Sequence, residues 1–426
     1  MKKLFKLLIS IITRIKIHIL EAQRKQETKL YRIMGRRLEG RTYLLVAFSW
    51  MVCGAWTRGQ LITNRSDGLC ESLVTGRGDY SCVEYVATTG DGFLLGVQRI
   101  SSTRHPPPTS KGPVFLMHGL LVGGDVWVLN TPSEALGFIM ADAGYDVWIG
   151  NTRTTRYSMG HSTLRHTDSA YWDWSLDEMA EQDLPAMLDL VYSITHERIH
   201  YIGYSQGSQQ ALAAFSQGRA LTYINKVVML APVAFVDHGS APLELGLFDL
   251  HVDQILQAAH VNEFSTKTSM GTQVVDLICG QTNRRCYQSW IFLFAGDNCC
   301  LNFSKRELLE KYETQVTSVK NLAHLAQQGR RSNFAHFDYG SAENLRRYGR
   351  PVPPPYSLSE IPPLNMLFIS GLRDALADQI DVTRLIMSLR SNVHSYVDPS
   401  FGHLDFILAD SANSRVYDQV INFLET

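Results

Sequence analysis

One serine stands in a context that could make it a nucleophile. An apolar run at 199–202 has the length of a buried strand, Gly203-Tyr204-Ser205-Gln206-Gly207 follows at once, and an Ala-rich helical pattern begins directly afterwards. In a strand–turn–helix unit, the two glycines leave room for a strained turn that lifts the serine hydroxyl clear of the sheet. The free N–H groups at the start of the following helix point at the same place. The context therefore predicts that Ser205 is a catalytic nucleophile.

A serine hydroxyl becomes an effective nucleophile when a histidine takes its proton and an acid orients that histidine. In hydrolases built on this turn, the acid and the histidine follow the serine along the chain, just after late strands. Asp374 comes directly after a predicted strand at 365–370, and His403 lies in a loop before the last predicted helix. The chain order Ser205, Asp374, His403 therefore predicts a catalytic triad.

Two other aspartates compete with Asp374 for the role of the acid. Asp378 is well placed to cap the next helix, which would make it structural. Asp381 lies one turn further along and is expected to be a solvated helix residue. Asp374 is favoured because it is nearest to the end of the strand.

The negative oxygen that forms when an ester is attacked needs two backbone N–H donors. One is expected from Gln206, the residue after the nucleophile. The other is expected from Leu120, in the loop that follows a predicted strand at 114–117 and begins His118-Gly119. We therefore predict an oxyanion hole at Leu120 and Gln206. Four tryptophans fit the core as well as they fit a substrate wall: Trp127, Trp148, Trp172 and Trp174.

The elements that must position these residues alternate between strands and helices. A hairpin is predicted around Gly90-Asp91-Gly92, and apolar strands then alternate with helical patterns. The strands are predicted at 83–88, 93–100, 114–117, 146–150, 199–202, 226–231, 365–370 and 395–397, and the helices at 133–143, 177–196, 378–389 and 411–424. Continuous apolar strands indicate a mostly parallel sheet covered on both faces, which is the α/β class.

The rhythm of strands and helices fails between Val236 and Pro355, where an inserted helical cap or lid is expected. We therefore divide the chain into an N-terminal extension, a first part of the core, a cap and a second part of the core. Their predicted ranges are 1–55, 56–235, 236–355 and 356–426.

Residues 1–55 are predicted to be a leader. Residues 1–42 contain 12 Lys and Arg and three Glu, so this segment has a net charge of +9. Since the whole chain has a net charge of −1, the remainder has a net charge of −10. The run 43–55 is apolar, uncharged and ends in Cys-Gly-Ala, as a secretory signal peptide does before cleavage. Met34 is then the expected start; the alternative is a basic membrane anchor at 1–20. Because the remainder is acidic, no nucleic-acid partner is expected.

Six cysteines follow the leader, and an even number behind a signal peptide indicates disulfides. They are Cys70, Cys82, Cys279, Cys286, Cys299 and Cys300. Cys70 and Cys82 form the natural local pair, and the sequence leaves the other pairings open. No Cys or His spacing indicates zinc. Glycosylation triplets at Asn64 and Asn302 fit the same compartment.

Longer strings of the sequence resemble the acid lipase family, which includes gastric and lysosomal lipases and the plant triacylglycerol lipases. They are His118-Gly-Leu-Leu121, the string 136–153, Gly203-Tyr-Ser-Gln-Gly207 and Gly402-His-Leu-Asp-Phe406. The plant branch is the most similar, through Gly124-Asp-Val-Trp127, Tyr171-Trp-Asp-Trp-Ser175 and Asn298-Cys-Cys300. The resemblance spans residues 69–424. Two positions depart from the family pattern, because the family has His in place of Tyr204 and Gly in place of Thr154.

The resemblance implies an α/β-hydrolase with a cap and lid, the triad and oxyanion hole named above, and a Cys279–Cys286 disulfide. We expect a serine lipase that hydrolyses neutral lipid esters, such as triacylglycerols, through an acyl-enzyme and without a metal or organic cofactor. It would be secreted, or lie in a vacuolar or lysosomal lumen, and meet its lipid ester at a lipid–water interface, with no stable protein partner. The alternatives are a carboxylesterase for shorter or soluble esters and a catalytically impaired lipid-binding protein.

Overall fold

A computed structural model describes residues 59–62, 68–108, 111–158, 160–267, 295–301, 311–312 and 314–426. The main strands of the protein form one central sheet. They are β1 (Gly59–Ile62), β2 (Tyr80–Thr88), β3 (Phe93–Ser102), β4 (Pro113–Met117), β5 (Asp146–Gly150), β6 (Ile199–Tyr204), β7 (Ile224–Leu230), β8 (Asn365–Gly371) and β9 (Val393–Asp398). Their spatial order is β1-β2-β3-β5-β4-β6-β7-β8-β9, and the short strand Gly160–His161 joins the sheet beside β3.

The last six strands of this order, from β5 to β9, run parallel, and the first three are antiparallel to their neighbours. This confirms the predicted mostly parallel sheet and the predicted hairpin, in which Thr88 pairs with Leu94. Strand β6 runs two residues beyond its predicted end, because Gly203 still pairs with β4 and Tyr204 still pairs with β7.

The helices are α1 (Leu136–Asp142), α2 (Leu184–Thr195), α3 (Gln206–Ser216), α4 (Pro242–Phe248), α5 (Val252–Ala258), α6 (Val319–Arg331), α7 (Ser341–Tyr348), α8 (Gln379–Ser388), α9 (Asp405–Leu408) and α10 (Asp418–Glu425). The helix predicted at 177–196 begins as Leu176–Glu178, passes through a π-helical turn at Met179–Asp183 and continues as α2. Ser175 and Glu178 form a capping box at its start. Another π-helical turn, Asn413–Tyr417, precedes α10, and a third spans Cys70–Val74. Short 3₁₀ turns lie at Gly124–Trp127, Ser169–Trp172, Leu221–Tyr223 and Leu358–Glu360.

Apolar side chains on the two faces of the sheet form two separate buried clusters. Because side chains alternate along a strand, Val114 and Leu116 of β4 belong to one cluster, whereas Phe115 and Met117 belong to the other. Helices cover both clusters, so every residue of β4, β5 and β6 is buried. The carboxyl ends of the parallel strands lie at one edge of this sheet, where the loops that follow them can form a binding site.

A third apolar cluster lies apart from those of the sheet, and helices α4, α5 and α6 supply most of it. We call these three helices the cap helices. A short antiparallel pair, Glu263–Phe264 with Thr317–Ser318, joins α5 to α6. The side chains of Phe334 and Tyr356 pack instead into a cluster of the sheet. The domain limits at 236 and 355 stay a prediction.

Candidate active site

Ser205 lies at the tip of a strained turn between β6 and α3. Its backbone has φ 53° and ψ −119°, a region that residues other than glycine rarely adopt. The Ser205 N–H donates a hydrogen bond to the Leu230 carbonyl of β7 at 3.0 Å, which ties the turn to the end of the sheet. Gly207 is needed for a close approach, since a Cβ there would lie 2.5 Å from the Met117 carbonyl oxygen. The strand–turn–helix context expected around Ser205 is therefore present.

The structure brings Ser205, Asp374 and His403 together, although Ser205 and His403 lie 198 positions apart in the sequence. The His403 Nε2 lies 2.8 Å from the Ser205 Oγ, and its Nδ1 lies 2.9 Å from both carboxylate oxygens of Asp374. A carboxylate only accepts, so the proton sits on Nδ1 and leaves Nε2 to accept the serine proton. All three side chains are buried. We call these residues the triad.

The competing aspartates have other partners. Asp378 accepts a hydrogen bond from the Ile380 N–H and caps α8, as expected of a structural residue. Asp381 is buried and accepts two hydrogen bonds from His238, so the expectation that it is solvated is wrong. The helical spacing could not show this, because His238 arrives from a distant part of the chain. Asp374 is held by the N–H groups of the two residues 376–377 as well as by His403.

The loop that carries His403 is braced by the segment around Asn298. The Asn298 Oδ1 accepts a hydrogen bond from the Leu404 N–H at 2.8 Å. The Asp405 carboxylate accepts from the N–H groups of residues 299–300 and from that of Gly402. Backbone donors on both sides of His403 are thus fixed, which holds the imidazole between its two partners.

Leu120 and Gln206 both line the pocket onto which Ser205 opens. The loop leading to Leu120 is held by His118, whose Nε2 accepts from the Thr152 N–H at 3.1 Å while its Nδ1 donates to the Gly119 carbonyl at 2.8 Å. Burial lowers the pKa of His118 to about 4, so the ring is neutral and can donate on one side and accept on the other. Gln206 is the first residue of α3, where backbone N–H groups have no intrahelical partner.

Two pairs of buried amides join α3 to the cap helix α6. The Gln206 and Asn321 side chains donate to each other, at 3.2 Å and 3.1 Å. About one turn further along, the Gln209 Nε2 donates to the Gln328 Oε1 at 2.8 Å. Reasoning from the sequence missed Asn321, and no local signal could have found it, because its partner lies 115 residues away.

Tyr204, one of the two departures from the family pattern, is buried beneath the site. Its hydroxyl donates to the His403 carbonyl at 3.1 Å, and the two ring centroids lie 5.1 Å apart. The buried hydroxyl therefore has a partner, and the serine–histidine–aspartate distances are those of ordinary hydrogen bonds. Tyrosine at this position braces the histidine loop.

The pocket above Ser205 has walls that are mainly aliphatic. Nine aliphatic side chains line it: Leu120, Leu121, Val122, Val233, Val236, Ala295, Leu325, Leu376 and Leu404. One acidic residue, Glu244, lies among them. The four tryptophans considered as substrate walls are buried, and none of them is among the described residues that line this pocket.

The second departure, Thr154, follows a buried arginine. The Arg153 guanidinium forms ion pairs with Asp183 and Asp91, at 2.6 Å and 2.8 Å, and its carbon lies 4.1 Å from the centre of the Phe93 ring. Burial alone would lower the pKa of Arg153, but the two carboxylates raise it above its ordinary value. We call Arg153, Asp183 and Asp91 the Arg153 cluster. Thr154 itself has φ 68°, a left-handed conformation.

The predicted Cys70–Cys82 disulfide is present, and Cys299 is bonded to its neighbour Cys300. The Cys279–Cys286 bond implied by the resemblance lies outside the described residues. Within the described ranges, one group of potential metal ligands comes together, the two neighbouring cysteines with Asp405. The sulfurs of that group are joined in the disulfide, so they are not thiolate ligands.

Comparisons with known proteins support the fold. The family model of the α/β hydrolase fold matches residues 112–410, and that of a partial α/β-hydrolase lipase region matches residues 74–131. Among solved structures, a monoglyceride lipase from Saccharomyces cerevisiae shares the fold at a TM-score of 0.51 with 13% identity, over 79% of this chain and 92% of that one. A lipase in an open form gives a TM-score of 0.52 at 13% identity, over 81% of this chain and 98% of that one.

Curated relatives are similar along most of their length. Triacylglycerol lipase 1 of Arabidopsis thaliana is 40% identical over 89% of this chain and 97% of its own. The human lysosomal acid lipase/cholesteryl ester hydrolase is 35% identical over 80% of this chain and 87% of its own. The rat gastric triacylglycerol lipase is 34% identical over 81% of this chain and 89% of its own. The chain belongs to the acid lipase family of α/β-hydrolases.

Proposed function

We propose that this protein hydrolyses esters of neutral lipids, such as triacylglycerols, through an acyl-enzyme on Ser205. The observation that carries the proposal is the hydrogen-bonded series Asp374, His403, Ser205 at the base of a mainly aliphatic pocket. Aliphatic walls bury an acyl chain away from water, which is the main source of affinity for an apolar ligand. The similarity to triacylglycerol and acid lipases supports the same substrate class.

In this mechanism the Ser205 Oγ attacks the ester carbonyl while its proton passes to the His403 Nε2. Asp374 keeps the imidazole in the correct tautomer and stabilises the imidazolium. The backbone N–H groups of Leu120 and Gln206 would stabilise the negative oxygen of the tetrahedral intermediate. The imidazolium then gives its proton to the leaving alcohol. Water, deprotonated by the same histidine, attacks the acyl-enzyme and releases the fatty acid and the free serine.

Two other functions remain as alternatives to lipase activity. A carboxylesterase would act on shorter or dissolved esters with the same triad, so it differs only in its substrate. A lipid-binding protein without turnover would need a damaged site, and the distances around His403 give no sign of damage. Emulsified and dissolved substrates distinguish the first alternative from a lipase, because a lipase with a cap gains rate when a lipid surface forms.

The test uses the purified protein and the variant Ser205→Ala. Wild type should hydrolyse an emulsified long-chain triacylglycerol and react with a fluorophosphonate probe at Ser205, as located by peptide mass spectrometry. The variant should lose on the order of 10⁴-fold or more in kcat, since removing a triad member leaves only binding and oxyanion stabilisation. A variant that keeps a tenth of the wild-type rate would refute the mechanism. Hydrolysis restricted to dissolved short esters would favour the carboxylesterase.

The protein is further proposed to enter the secretory pathway, in keeping with the signal-like run at 43–55 and the Cys70–Cys82 disulfide. No helix among the described residues is long and apolar enough to cross a bilayer. Protein isolated from its host should begin near Trp56 and carry glycans at Asn64 or Asn302. Mass spectrometry that finds abundant peptides from 1–33 in the mature protein would support the membrane anchor instead.

A further inference from the structure

Glu244 differs from the other side chains of the catalytic pocket. It lies on α4, lines the pocket together with Ser205 and His403, and is 1% exposed. The side chains around it in the wall are mainly aliphatic. A carboxyl group in such a wall loses its hydration and gains nothing from a neighbouring methyl group.

One oxygen of the Glu244 carboxyl lacks a partner among the residues that the structure describes. Its Oε2 is completely buried and, among the described residues, has no hydrogen-bond partner. The carboxyl lies against the backbone of Gly239. A Cβ at position 239 would come within 3 Å of all three heavy atoms of the Glu244 carboxyl group. The backbone just after Gly239 is bonded to the Ala375 carbonyl beside Asp374. The carboxyl is therefore seated at the edge of the catalytic loops, and no described residue forms a hydrogen bond with its Oε2.

The charges around Glu244 favour its neutral form. Burial, together with the negative charges of Asp374 and Asp381, raises the pKa of Glu244 well above its ordinary value. Both of those carboxylates already accept hydrogen bonds from histidines, His403 and His238 respectively. A protonated carboxyl has one donor and a free acceptor, which is the hydrogen-bonding capacity that matches a hydroxyl group.

We propose that Glu244 forms a polar subsite in the catalytic pocket and selects ester substrates that carry a free hydroxyl group. This inference rests on the ester hydrolysis proposed above. A substrate with a plain hydrocarbon chain leaves the Glu244 carboxyl unpaired. A substrate hydroxyl group that reaches Glu244 can accept a hydrogen bond from the protonated carboxyl and donate one to it. The hydroxyl could belong to a hydroxylated acyl chain or to the glycerol of a partial glyceride, and the experiment distinguishes the two.

The test measures kcat/KM for matched pairs of esters. One arm compares methyl esters of stearate with those of its positional hydroxystearates, and the other compares a monoacylglycerol with the methyl ester of the same acid. In one of the two arms, the wild type should show a higher kcat/KM for the ester that carries the free hydroxyl group. In Glu244→Leu that preference should fall roughly tenfold to a hundredfold, because the pocket then gains nothing from the hydroxyl. Glu244→Gln, which keeps a donor and an acceptor, should retain it within about fivefold.

Leu325→Met is the matched control, since it changes another wall of the same pocket without changing its polarity. It should alter the rates on both members of a pair alike and leave their ratio unchanged. If Glu244→Leu fails to fold, Glu244→Met takes its place as the apolar variant. An active apolar variant with the wild-type ratio in both arms would overturn the subsite. If the wild type hydrolyses none of these esters, the proposed function itself would be overturned.

Discussion

Two clusters of polar side chains, the Arg153 cluster and the triad, differ in what surrounds them. Arg153 follows β5, and the residues of the triad follow β6, β8 and β9. In the Arg153 cluster, each of the three guanidinium nitrogens is bonded to a carboxylate, so the charge is enclosed by protein partners. In the triad, Asp374 is enclosed in the same way, but His403 and Ser205 also line the pocket. Both clusters are held by hydrogen bonds of ordinary length. No residue of the Arg153 cluster is among the described residues that line this pocket.

This difference predicts that the clusters respond differently to the same kind of substitution. A fully partnered buried charge contributes to the fold, and removing its partner leaves an uncompensated charge. A charge that orients a group facing a pocket contributes to the reaction, because its effect is felt when the transition state forms. Changing one acid in each cluster should therefore separate activity from stability.

The largest effect is expected at the acid of the triad. Asp374→Asn should lower kcat by on the order of 10³–10⁴-fold, because an amide favours the wrong imidazole tautomer. Asp378→Asn is the matched control, since it changes a nearby aspartate that caps α8 and does not contact His403. It should retain most of the activity. Steady-state hydrolysis of a soluble ester measures both, and the reverse ranking would assign the acid to Asp378.

In the Arg153 cluster, Asp183→Asn should lower the free energy of unfolding by about 3–5 kcal/mol, because it leaves a buried guanidinium short of a charge partner. Asp91→Asn should cost less, since Asp91 is one-third exposed and water can replace part of the lost interaction. Denaturant unfolding measures both. The kcat of the folded fraction should stay close to wild type, and a loss as large as that of Asp374→Asn would contradict the separation.

A smaller effect is expected where the cap helix α6 meets α3. Asn321→Leu should lower kcat roughly tenfold, because the Gln206 side chain loses both hydrogen bonds that fix the residue proposed as an oxyanion donor. Gln328→Leu breaks the second amide pair between the same helices and should cost similar stability with little change in kcat. Thermal unfolding and kcat are measured for both variants. Equal losses of kcat in the two variants would show that both amide pairs only hold α6 against α3.

The residues proposed for catalysis could be singled out in the sequence because they lie close to strand ends. Ser205, Asp374 and His403 each follow a strand that periodicity reveals, and the chain order of such a site is fixed by the sheet topology. The partners that hold them in place could not be predicted in this way. The string Asn298-Cys-Cys300 is part of the family resemblance, but nothing in it indicates that the Asn298 amide oxygen accepts from the backbone next to His403.

The environment of acidic residues was the least predictable feature of the site. Asp381 and Glu244 both lie on helices, where a charged residue is usually solvated. Each is buried because a distant segment covers it, His238 in the first case and the pocket wall in the second. Helical periodicity indicates which face of a helix is apolar, but the burial of a single polar residue depends on contacts between segments far apart in the sequence.

The smallest effect tests the residue next to the Arg153 cluster. Thr154 has φ 68°, and a β-branched residue in this region is strained by about 1–2 kcal/mol. Thr154→Gly should relieve that strain but add about 0.4–1 kcal/mol of unfolded-state entropy, so the protein should gain between about 0 and about 1.6 kcal/mol. Thr154→Ala is the control, because it removes the same hydroxyl, 3.5 Å from the Val316 carbonyl, and keeps a Cβ. Denaturant midpoints should rank Gly above Ala. The opposite order would show that the enclosing cluster, and not the backbone angle, determines which residue this position accepts.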